Sequence, residues 1–177
     1  LERNEMDALL NSIDRTSRLG RRDYALFAFM FNTGARVQEA LNVRVADVRF
    51  EAPPQVQLLG KGRKARTCPL WPATSHLLRD LIAKRGGFRD DSVSPLVFTN
   101  ARGAPLTRYG VRYLLRRYVQ KASRVAPSLK SKKLHPHSIR HSTAVALLKS
   151  GVDFATISQW LGHAGLNTTM RYARADL

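Results

Sequence analysis

The chain has 177 residues, 44% of them hydrophobic, enough for one domain with a substantial core, and 30 Lys+Arg against 13 Asp+Glu leave a formal charge of +17. That balance suits a polyanion, nucleic acid first, whereas no apolar run approaches the roughly 20 residues of a membrane-spanning helix and no signal-peptide pattern opens the chain. The single cysteine, Cys68, excludes an internal disulfide and a cysteine-rich zinc site, and it suits a reducing compartment.

Met6, Leu9, Leu10 and Ile13 recur at helical spacing, and Tyr24, Leu26, Phe27, Phe29, Met30 and Phe31 mark a second, buried helix running toward Thr33-Gly34. A helix is predicted over Arg36 to Asn42, followed by short strands at Val48 to Phe50, Val56 to Leu59 and Ala65 to Leu70. Gly60-Lys61-Gly62 reads as a hairpin turn, and Cys68 as a strand-packing residue. Pro72 fits a first helical turn, from which Leu77, Leu78, Leu81 and Ile82 carry a helix to Gly86-Gly87 and a polar loop.

Thr107 is the predicted N-cap of a long basic helix through Ala122. Val111, Leu114, Leu115, Tyr118 and Val119 form its apolar stripe, with Arg112, Arg116, Arg117 and Lys121 beside it, so the helix packs while showing its charge to a nucleic acid. Lys130, Lys132 and Lys133 form a basic loop before Pro136, and Ile139, Ala144, Leu147 and Leu148 describe a helix ending at Gly151. Asp153 and Asn167 are predicted to cap two last short helices. With no internal repeat and no low-complexity tract, the expected fold is mainly α with a small three-stranded antiparallel sheet, in one domain over residues 1–177.

Five short motifs carry chemistry. His137 and Arg140 stand at i and i+3, on one face at the start of a helix, where they could share a phosphate. The bland alternative is a helix-capping histidine and a surface ion pair. Gly34-Ala35-Arg36 puts an arginine by a helix N-terminus that already favours an anion, with Glu39 placed to orient it; the alternative is a solvated arginine. Gly60-Lys61-Gly62 sets a lysine at a turn from which an ammonium reaches a groove, although most turn lysines only solvate the turn. Leu161-Gly162-His163 ends one short helix, and Tyr172 follows between Arg171 and Arg174, an odd setting for a purely structural ring. A zinc reading of His135, His137 and His141 lacks a fourth ligand nearby.

The motifs occur in one order, from Thr33-Gly34-Ala35-Arg36 to Tyr172, and in that order the chain resembles the tyrosine recombinase, or phage-integrase, family over nearly its whole length. The resemblance implies a recombinase catalytic core in which Arg36, Lys61, His137, Arg140 and His163 activate a phosphodiester and Tyr172 is the nucleophile. It implies cleavage to a 3′-phosphotyrosine and rejoining to a 5′-hydroxyl, with no metal, ATP or other cofactor.

The residue types fit that chemistry on their own terms. Two guanidinium groups and an imidazole N–H can neutralise the charge gathering on a phosphoryl group in place of magnesium, and a cation cluster favours a phenolate. A lysine on a hairpin suits protonation of the leaving oxygen. Apart from Asp90-Asp91 the carboxylates are scattered, unlike the acid clusters of two-metal nucleases.

The implied partner is a double-stranded recombination site, met in the cytoplasm at the nucleoid and not at a membrane. Relatives of this kind carry an N-terminal DNA-binding domain and a tail beyond the tyrosine. This chain holds neither, so a monomer is expected from it, against a tetramer on DNA for a full-length protein. The rival readings are a type IB topoisomerase or telomere resolvase with the same chemistry, and a DNA- or RNA-binding module without catalysis, which +17 alone would explain. A denaturation-resistant protein–DNA adduct separates the last from the others.

Overall fold

The computed structural model describes residues 1–60, 62, 64–85 and 95–162. Helix α1 (Arg3–Asn11) opens with the Glu2 N–H donating to Glu5 Oε1, 2.8 Å away. It buries Met6 and Leu9, while Ile13, predicted inside it, is buried just past its end. In α2 (Arg18–Thr33) the Ser17 hydroxyl caps the Gly20 N–H at 2.9 Å, and Gly34 closes the helix in the left-handed region, φ 66°. A run from Ala25 to Met30 is buried on every side because α4 (Pro72–Lys84) and α6 (Pro136–Lys149) both pack on this helix.

Helix α3 spans Val37–Leu41, shorter than predicted, since Arg36 has extended backbone (ψ 154°) and serves as N-cap rather than first turn. After a 3-10 turn at Val45–Asp47 come β1 (Val48–Arg49), β2 (Gln55–Leu59) and β3 (Ala65–Pro69), antiparallel in the order β1-β2-β3. Phe50 and Leu70 each fall one residue past the strand that the apolar pattern assigned them to, because that pattern marks burial and not pairing: Leu70 is 4% exposed and Phe50 half-buried although the strands end at Pro69 and Arg49. Val48, Val56, Leu58 and Cys68 form the inward face.

Pro72 begins α4 as predicted; its expected end, Gly86-Gly87, lies outside the described residues. Helix α5 (Arg108–Ala122) is capped by Thr107 Oγ1 accepting from the Gly110 N–H at 3.0 Å. Its inward stripe meets α1 and α2, with Tyr118 edge-on to Phe27 and its hydroxyl donating to Asp23 Oδ2 at 2.5 Å. The basic loop contains a 3-10 turn at Pro127–Ser131. Within it Lys132 is not merely solvated, since its Nζ stands 2.5 Å from the buried Glu5 carboxylate. Burial pushes the Glu5 pKa up, but the bonds from Lys132, the Glu2 N–H and Ser128 outweigh it and hold the group at about 2.

Helix α7 (Phe154–Leu161) is capped by Asp153, which accepts from the Thr156 N–H at 3.1 Å, and ends at Gly162, φ 69°. The cap predicted at Asn167 lies outside the described residues. The fold is mainly α with one three-stranded antiparallel sheet, and among the described residues no helix is long and apolar enough to cross a membrane.

Candidate functional site

Arg36, His137 and Arg140 line a single cleft of about 620 Å³ between α3, the β2–β3 hairpin, α5 and the start of α6. Residues separated by a hundred positions in sequence meet there because α6 packs on the C-terminal half of α2, where the Thr143 hydroxyl donates to Phe31 O at 2.6 Å. Arg108 and Arg112 of α5 and His135 add to the lining. Glu39 is the one carboxylate among the described residues that line the cleft.

Arg140 is 1% exposed, which rules out a surface ion pair. Its Nη1 donates to Gly34 O at 2.6 Å and its Nη2 to Leu161 O at 2.5 Å. Two orphan carbonyls at helix ends thus hold a guanidinium at the back of the cleft. Gly34 is required for this closeness: besides its positive φ, a Cβ there would lie 2.2 Å from Leu161 Cδ2. Arg36 is different in kind. Half of its side chain remains exposed (51%), and its backbone N–H donates to Glu39 Oε1 at 2.9 Å.

Glu39 orients α3 through that backbone bond, while the Arg36 guanidinium is 4.0 Å away. The closer cation is Arg66 on β3, with Nη2 3.3 Å from Oε1 and Nε 3.5 Å from Oε2. Arg66 Nη1 also donates to Trp160 O. Burial raises the Glu39 pKa, but the Arg36 N–H bond, the Arg66 guanidinium and the field of Arg140 outweigh it and keep the carboxyl below its ordinary range. The carboxylate is therefore a fixed negative charge at neutral pH.

His137 occupies the second position of α6, after Pro136; the N-cap is His135. Its lost solvation against the cleft wall, then the positive charges of Arg140, Arg36 and His135, lower its pKa from the usual imidazole value. A neutral imidazole beside two guanidinium groups can accept a proton or donate one N–H to an anion. Among the described residues no three His, Cys, Asp or Glu groups gather to hold a metal ion.

Gly60, the residue before Lys61, lines the cleft and donates its N–H to Lys64 O at 2.8 Å. Lys61, His163 and Tyr172 lie outside the described residues. Sequence reasoning passed over Arg66, although a signal existed: in a strand whose Cys68 faces inward, period-two alternation places Arg66 inward as well, opposite Leu58. It also passed over Arg108, the first residue of α5.

The sequence profile described as the Phage integrase family matches residues 1–177. The y4rC protein of Sinorhizobium fredii is 38% identical over 177 residues, which is 100% of this chain and 52% of that protein. Tyrosine recombinase XerC of Staphylococcus haemolyticus is 33% identical over 172 residues, 97% of this chain and 55% of its own. The chain thus spans about half the length of the curated relatives it matches. Among solved structures, XerH site-specific recombinase bound to a palindromic difH substrate in a post-cleavage complex aligns with a TM-score of 0.82 and 28% identity, covering 99% of this chain and 49% of that one.

Proposed function

This chain belongs to the phage integrase family, and on that premise we propose that it is the catalytic domain of a tyrosine site-specific recombinase, which cuts and rejoins DNA through a 3′-phosphotyrosine. The observation that carries this reading is the convergence of Arg36, His137 and Arg140 on one cleft where Glu39 is the one buried carboxylate among the described residues that line it. The XerH structure adds support, because that site-specific recombinase is seen bound to a palindromic difH substrate in a post-cleavage complex.

In the proposed reaction the scissile phosphate sits between the Arg36 and Arg140 guanidinium groups, which meet its non-bridging oxygens. Arg140 is pre-organised by Gly34 O and Leu161 O, so little reorganisation accompanies charge development. Tyr172 Oη bonds to phosphorus as the phosphorus–O5′ bond breaks. The phenol proton passes toward His137, whose lowered pKa leaves it able to accept one. Lys61 protonates the departing O5′, and His163 donates to the phosphoryl group. Attack by a 5′-hydroxyl on the phosphotyrosine reverses each transfer, so the phosphodiester energy is conserved without ATP, and the cations replace a metal. The DNA partner is a duplex recombination site, on which a full-length protein assembles as a tetramer.

A suicide substrate nicked just beyond the scissile phosphate traps the intermediate. The wild type is expected to form a covalent adduct stable to denaturant and insensitive to chelators. Tyr172→Phe should bind the same DNA and form none, because only the nucleophilic oxygen is lost. Undiminished adduct from that variant refutes the assignment.

A further inference from the structure

We infer that Arg66 is a positioning residue for this reaction: through Glu39 and the Trp160 carbonyl it ties the strand leaving the hairpin to the helix carrying Arg36 and to the end of α7. The inference rests on the recombinase reading for the reaction, and on geometry for the residue.

Arg66 is not among the residues lining the cleft, and only 11% of its side chain is exposed. It stands at an inward position of β3, where an apolar side chain would bury with less loss of hydration. What an apolar residue could not do is bond in three directions from a rigid plane. Nε and Nη2 reach the two oxygens of Glu39, and Nη1 reaches Trp160 O. The neighbouring Leu161 O is held by Arg140. Consecutive carbonyls in the last turn of α7 are thus gripped by two guanidinium groups, one from β3 and one from α6.

The glycines on either side show how tightly the pair is enclosed. A Cβ on Gly162 would stand 2.6 Å from Arg66 Cδ and 2.9 Å from its Nε, and a Cβ on Gly60 would stand 3.3 Å from Glu39 Oε2. Gly60 directly precedes Lys61 and Gly162 directly precedes His163. The Glu39–Arg66 pair therefore lies between the two points at which the chain leads into those residues, while Glu39 also holds the N–H of Arg36. The charged groups facing Glu39 are Arg36 on its own helix, Arg66 from β3 and Arg140 from α6. Without Arg66 the buried carboxylate keeps the Arg36 N–H bond and the field of Arg140 but loses both the bonds and the charge of the β3 guanidinium, and so protonates at higher pH.

The test uses the intact protein, a nicked suicide duplex and Arg66→Gln and Arg66→Lys, read as DNA affinity, melting temperature and single-turnover adduct rate against pH. Arg66→Gln should bind DNA within a few-fold of wild type but form adduct about 100-fold more slowly at neutral pH, the scale of loss for a small misplacement of reacting groups. Arg66→Lys should recover little, since one ammonium cannot bridge Glu39 and Trp160 O. The Arg66→Gln rate should fall further below neutral pH, and the added change Glu39→Gln should flatten that acid limb. Ile157→Val, buried in the α7 core, is the control for general destabilisation and should react normally.

Several outcomes overturn the inference: wild-type adduct rates in Arg66→Gln, full rescue by lysine, or an equal rate loss in an Ile157 variant of matched melting temperature. Should Arg66→Gln fail to fold, Arg66→Lys carries the same comparison, and a wild-type rate from it is decisive against the role. Absence of adduct from the wild type instead overturns the recombinase reading itself.

Discussion

Gly34 and Leu161 meet so closely that a Cβ on Gly34 would stand 2.2 Å from Leu161 Cδ2, and Arg140 donates to the carbonyl oxygens of both. The junction between the end of α2 and the end of α7 is thereby also the seat of a cleft arginine. Gly34→Ala adds a methyl group at φ 66° and into that contact. We expect about 2–3 kcal/mol of lost stability in urea denaturation, from the left-handed backbone and the overlap together. Adduct formation should fall more than DNA affinity, because the acceptors of Arg140 move. A variant as stable as the wild type would show that the junction relaxes at no cost.

The two cleft arginines should separate under mutation. Arg140→Ala leaves two buried carbonyls without donors and empties the back of the cleft, an expected loss of about 2–4 kcal/mol. Arg36→Ala removes a half-exposed side chain and keeps the backbone bond to Glu39, so stability should change by only about 0.5 kcal/mol. Both should slow single-turnover cleavage by about 100-fold or more, and neither should weaken DNA binding comparably, since many basic groups share the phosphates. Equal losses in rate and affinity would reduce them to phosphate anchors.

Lys61→Ala is predicted to cleave a normal strand slowly and a strand with sulfur in place of the leaving O5′ readily, because a thiolate departs without a proton. The check is the ratio of the two rates in wild type and variant. If sulfur gives no rescue, another group is the general acid.

His137 links the cleft to pH. Its folded pKa lies below the unfolded value, so the folded chain holds fewer protons here; its contribution to stability is fully present above about 6.5 and is lost as pH falls through the folded pKa. A phosphate in the cleft works against that depression by favouring the imidazolium below neutral pH, while near neutrality the ring stays free to accept the phenol proton. DNA binding should therefore take up a proton on the acid side of neutrality, with affinity rising as pH falls, and His137→Gln should remove that component. Titrations in two buffers of different ionisation enthalpy measure the uptake directly; none at His137 would remove the imidazole from the phosphate.

Much of this architecture is legible in local pattern. The 3.6-residue recurrence of Met6 and Leu9, or of Val111, Leu115 and Tyr118, reports helices because neighbours along a helix share a face. Thr107 and Asp153 are readable as caps because a short oxygen-bearing side chain meets a nearby N–H. Strand ends and the start of α3 were displaced by a residue or so, since burial continues past the last ladder bond and Arg36 caps rather than begins its helix.

By itself the amino-acid sequence determined the helical class, the three-stranded hairpin sheet, the basic surface and the ordered set of residues that mark the family, all encoded over a few neighbouring positions. Only the tertiary structure decided what each of those residues touches. Arg140 and Gly34 are 106 positions apart, Arg66 and Trp160 are 94 apart, and Lys132 and Glu5 are 127 apart. No local periodicity carries such pairings, because they follow from how whole helices and the sheet pack. That packing buries Arg140 completely, turns Arg66 inward onto Glu39, and brings the Lys132 ammonium onto the buried Glu5 carboxylate.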